Sequence, residues 1–101
     1  MISTGMELLS NDCVFEEASP TPDGRVYRGK NEITNSLQGF FHESPEAHFE
    51  IEEVFSMGER CIMRWKGSGE TIKGEKEYIR GVDLFRVRSG VICEKLSYVK
   101  G

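Results

Sequence analysis

Along residues 77–88, EYIRGVDLFRVR, alternate positions carry Ile79, Gly81, Asp83, Phe85 and Val87, so one strand face is apolar except for a single carboxylate. A carboxylate in such company must find hydrogen-bond partners or hold its proton more tightly, and a tightly held proton makes a usable acid near neutral pH. Asp83 is therefore either an acid/base or ligand-binding group, or a structural residue that caps a bulge or pairs with Arg64 or Arg86. Two more carboxylates fall among apolar residues by the same period of two. Glu17 alternates with Cys13 and Phe15, and Glu53 with Phe49, Ile51 and Phe55. If a curved sheet brought either beside Asp83, the pair would divide proton donation from acceptance. Otherwise each is a strand-end glutamate in solvent.

Aromatic residues supply walls for such a site. Trp65 and Tyr98 offer an apolar surface with an indole or phenol hydrogen bond, Phe15 and Phe85 share faces with Glu17 and Asp83, and Tyr27 precedes a helix as a rim or lid residue. Core packing is the competing role for each. His42 and His48 flank Ser44 and Pro45 without a third ligand at metal-site spacing, so no metal is expected. The glycines of WKGSGETIKG lack the lysine-serine ending of a phosphate-binding loop, and no cofactor is expected.

Composition bounds the partners. Seventeen acidic against 13 basic residues give a net charge of -4, which disfavours a nucleic-acid partner. No run approaches the roughly 18 apolar residues of a membrane span, and the opening MISTGMELLS has no basic leader, so a cytoplasmic protein is expected. Cys13, Cys61 and Cys93 are odd in number, each beside apolar neighbours, and read as reduced thiols. At 101 residues the chain is one domain, 1–101.

The elements that must position these residues follow from periodicity. A short apolar helical fragment surrounds Met6, Leu8 and Leu9, and residues 13–17 read as a strand. Two prolines with Asp23 and Gly24 then mark a loop. Ile33, Leu37, Phe40 and Phe41 form the stripe of an amphipathic helix from Lys30 to about His42, with Asn31 as its cap and Ser44 and Pro45 closing it. Segments 47–55, 60–70, 77–88 and 91–99 alternate as strands around short turns. The result is an α+β fold: an antiparallel meander, strongly twisted and packed on one main helix.

Three runs carry a resemblance: NDCVFEEASPTPDGRVYRGKNEI, FEIEEVFSMGERCIMRW and IRGVDLFRVRSGVICEKLSYV. They resemble the SnoaL-like polyketide cyclase branch of the nuclear transport factor 2-like superfamily, which also holds ketosteroid isomerases and scytalone dehydratase. The resemblance implies that this α+β fold is a curved antiparallel sheet, a cone or half-barrel around a pocket, packed on one main helix, and that the protein is an isomerase, cyclase or dehydratase acting on a hydrophobic carbonyl compound. It puts Asp83 at the position of an acid/base or oxyanion-donating aspartate, and Glu17 at that of the isomerases' base. A histidine often paired with the cyclase aspartate would fall near Gly81, which has no side chain. The resemblance also implies a homodimer, and an amino end short of the long first helix that closes the cone in relatives. A noncatalytic module for a small hydrophobic ligand, or an interaction scaffold working through the sheet face, are the alternatives.

Overall fold

A computed structural model describes residues 8–43, 47–70 and 74–100. The strands are β1 (Leu9–Glu16), β2 (Val26–Arg28), β3 (His48–Met57), β4 (Arg60–Glu70), β5 (Lys76–Arg88) and β6 (Val91–Val99), with one helix, α1 (Lys30–Glu43), between β2 and β3. Together they make the expected α+β architecture, a curved, unclosed sheet in the order β2-β1-β6-β5-β4-β3. From β3 to β6 the chain meanders antiparallel, but β1 adds to β6 in parallel. Ser89 and Gly90, both at positive φ, form the two-residue turn whose twist suits a β5–β6 hairpin.

Helix α1 packs on β1 and β2. Its fully buried Ile33 meets Leu9, Cys13 and Phe15 of β1, with Tyr27, Leu37 and Ile92 against this cluster. That defines an inner face of the sheet, covered by the helix at one side. On the other side, over β3, Phe40 of the helix reaches Phe49 with ring centroids 5.9 Å apart. The first helical turn is closed by Ile33 N–H donating to Gly29 O, and Glu32 reaches back to accept from the Arg28 N–H. Asn31, the expected cap, therefore lies inside the first turn.

Other boundaries also move. Tyr27 stands in β2, paired with Phe15, and not in a loop. Leu9 opens β1, where a helical fragment was expected; Met6 of that fragment, and the helix-closing Ser44 and Pro45, lie outside the described residues. No helix among the described residues is long and apolar enough to cross a membrane.

Three register shifts depart from simple alternation, the first in β1 between Leu9 and Val14 where it pairs with β6. In β3, Ile51 pairs with Trp65 but Glu53 pairs with Arg64, leaving Glu52 as the extra residue. In β6, Ile92 pairs with Val87 but Glu94 pairs with Arg86, leaving Cys93 extra. A one-residue slip exchanges the two faces of everything beyond it. The expected face Phe49, Ile51, Glu53, Phe55 is thus split: Phe49 and Ile51 are inward, Glu53 and Phe55 outward.

Candidate functional site

The inner face centres on β4, β5 and β6. Register aligns Met63, Asp83 and Ser97 in one row, Cys61, Phe85 and Lys95 in the next, with Phe15 beside Lys95. Asp83 is the buried charged residue of the described chain, 6% exposed. Its Oδ1 accepts a 3.1 Å hydrogen bond from the Trp65 indole Nε1, the bond that such burial requires. No other bond holds this carboxylate among the described residues, and Oδ2 remains for a ligand or water. Neither Arg64 nor Arg86, the arginines expected as structural partners, reaches it.

Trp65 can reach Asp83 because Gly81 lies between them. A Cβ at position 81 would stand 2.4 Å from the indole ring and 2.7 Å from the Tyr98 carbonyl oxygen. The ring occupies the space where a residue-81 side chain would go, which explains in physical terms why no histidine fits there. Gly67 seats Phe49 in the same way, its missing Cβ lying 2.9 Å from the ring. Phe49 then meets Trp65 edge-on at 5.7 Å between centroids. Helix, aromatic pair, indole and carboxylate form one continuous series across the cone.

The remaining candidates separate. Phe85 and Phe15 share the inner face with Asp83. Glu17 lies one residue past β1 and is exposed; continued alternation aligns it with Ser97, about two strand spacings, or roughly 10 Å, from Asp83. It lines an open groove of about 230 Å³ with Asp23, Ser97 and Tyr98 at that end of the sheet. Glu53 is on the outer face, 3.4 Å from Arg64 Nε. Tyr98, expected as a wall beside Trp65, is also outward and pairs with Val82, because the Cys93 bulge has exchanged the faces of β6.

The same bulge brings in a residue that sequence reading passed over. Regular pairing from the Ser89–Gly90 turn would set Glu94 opposite Phe85; the bulge sets Lys95 there instead. Lys95 is half-buried, with Nζ 4.6 Å from the centroid of the Phe15 ring. Glu94 goes outward to pair with Arg60 at 2.8 Å. The outer face is a lattice of such pairs, Glu50 with Lys66, Glu52 with Arg80 and Glu53 with Arg64, around a second open groove of about 370 Å³. The parity of 91–99 alone cannot find Lys95, because the signal is a bulge.

All three cysteines are free thiols, and burial pushes the Cys13 thiol above its ordinary 9.0. Among the described residues no three His, Cys, Asp or Glu side chains gather as a metal site.

The family model of the SnoaL-like domain matches residues 2–95. The chain is 34% identical to a nuclear transport factor 2-like protein of unknown function from Mesorhizobium loti, covering 99% of this chain and 78% of that one, with a TM-score of 0.82. A putative SnoaL-like polyketide cyclase from Jannaschia sp. CCS1 matches at 14% identity and TM-score 0.83, over 98% of this chain and 72% of that one. TerC, crystallised with polyporic acid, matches at 13% identity and TM-score 0.81, over 98% and 78%. The last two likenesses show the fold alone. No curated protein matches the chain.

Proposed function

The chain belongs to the SnoaL-like domain family, and on that premise we propose that it is an enzyme of the isomerase, cyclase or dehydratase type, acting without a cofactor on a hydrophobic carbonyl compound. The observation that carries this reading is Asp83, a buried carboxylate on an apolar inner face, held at one oxygen by Trp65. Oδ2 would accept a proton from the carbon beside the carbonyl, the C–H electron pair moving into an enolate. The protonated Asp83 would then return that proton to another carbon or to oxygen. The indole fixes the carboxylate, so little reorganisation accompanies the transfer. Both proton-transfer roles fall to Asp83, since neither Glu17 nor Glu53 is brought beside it. TerC, of the same fold and crystallised with polyporic acid, supports a small-molecule ligand.

Proton exchange at carbon tests this before the true product is known. In D₂O, the protein should speed deuterium entry beside the carbonyl of tetralone, an apolar ketone. Asp83→Asn should lower that rate by about 10²- to 10⁴-fold, the usual contribution of a positioned acid/base. An undiminished rate in the Asn variant would remove Asp83 from the chemistry.

A noncatalytic module for a small hydrophobic ligand is the second reading, favoured by the absence of a second carboxylate beside Asp83 among the described residues. Under it, tetralone binds but exchanges no faster than in buffer. For either reading we propose a homodimer through the outer sheet face, whose alternating acids and bases are self-complementary and whose Phe55, Met57, Tyr78 and Tyr98 stand exposed.

A further inference from the structure

Lys95 is a cation on the inner face that none of the ion pairs among the described residues neutralises. Its row neighbours are Phe85 on one side and Phe15 on the other, the latter only 7% exposed. Two carboxylates are its diagonal neighbours in register, each about 7–8 Å away: Asp83 across the β5–β6 ladder and the exposed Glu17 just past the end of β1, and neither forms an ion pair with it. Lys95 does not turn toward Asp83. The ammonium instead lies over the Phe15 ring, on the β1 side, while Asp83 is engaged by Trp65 on the β4 side. An ammonium drawn partly out of water against the Phe15 ring gains from the ring face, but it gains more from a desolvated anion.

The chain places the cation there at a structural cost. The Cys93 bulge interrupts the β5–β6 ladder, and its effect is to turn Glu94 outward to Arg60 and Lys95 inward. Most acidic side chains of the sheet go to the outer lattice; of those with inner parity, Glu77 and Glu17 lie exposed at strand ends and Asp83 is tethered to Trp65, while Lys95 is in none of the ion pairs among the described residues.

We propose that Lys95 is the anion-binding residue of the cone, and that the ligand is an apolar organic acid. Its ionised group sits on Lys95 Nζ and its reacting carbon lies toward Asp83, with about 7–8 Å between the two side-chain origins. This rests on the reading that the inner face holds a small molecule. Lys95 is a binding and specificity residue here; Asp83 keeps the proton transfer.

Two dyes of one framework test it: anilinonaphthalene sulfonate, an anion, and phenylnaphthylamine, its neutral parent. Trp65 is the sole tryptophan, so its indole N–H gives one signal in a ¹H–¹⁵N spectrum, and a saturable shift of that signal on adding dye reports binding at the inner face. The sulfonate should bind more tightly than the neutral dye. Lys95→Met should weaken the sulfonate by about tenfold or more and leave the neutral dye unchanged, while Lys95→Arg retains the preference. If both dyes bind and Lys95→Met leaves their ratio unaltered, the assignment of Lys95 is overturned and the inner-face site stands. If neither dye shifts the Trp65 indole signal, the inner-face site fails and takes the assignment with it.

Discussion

The bond from Trp65 to Asp83 holds the proposed chemistry and part of the stability in one contact. Trp65→Phe keeps a ring against Phe49 but leaves the buried carboxylate without its donor, which should cost about 1–3 kcal/mol in chemical denaturation. Replacing both partners, Trp65→Phe with Asp83→Leu, should cost less than the sum of the single changes, because the unsatisfied charge is gone. Cys13 makes a separate prediction. Its thiol is raised by burial, so the folded state favours the protonated form. Stability from this source is present below the ordinary thiol value of 9.0 and is lost as pH rises above it toward the raised folded value. Denaturation midpoints of wild type and Cys13→Ala followed through that window should show a steeper decline for the wild type.

At the scale of elements, the glycines and bulges decide what the inner face contains. Gly81→Ala would put a Cβ against the indole and the Tyr98 carbonyl, with backbone on one side, and should destabilise by about 1–3 kcal/mol while displacing Trp65 from Asp83. A changed Trp65 fluorescence maximum would report that displacement. Strands β4 and β5, the α1 stripe and the inward Asp83 were legible because period two and the 3.6-residue repeat survive unbroken there. Residues 53 and beyond in β3, and 94 and beyond in β6, were not. A bulge adds one residue on one strand only, and nothing in FEIEEVF or VICEKL marks which residue goes unpaired. That single cause misplaced Glu53 and Tyr98 and hid Lys95. The parallel pairing of β1 with β6 was equally hidden, since it joins segments some 80 residues apart through no local turn.

For the whole molecule, the two sides of one sheet differ in chemistry. Outside, paired charges accompany exposed Tyr78 and Tyr98; inside, Phe49 meets Trp65, Trp65 holds Asp83, and Phe85 and Phe15 flank Lys95. If the outer face joins two copies, sedimentation should give twice the chain mass, and Tyr98→Glu should shift it to monomer without altering dye binding near Trp65. The most direct measurement of the central claim is a ¹H–¹⁵N spectrum of the protein titrated with tetralone. The account predicts saturable shifts of the Trp65 indole signal and of the Asp83, Phe85 and Lys95 amides, with the outer-face residues about Arg80 and Tyr98 still. Shifts concentrated around the Glu52, Arg64 and Arg80 groove, with the Trp65 indole unmoved, would contradict it.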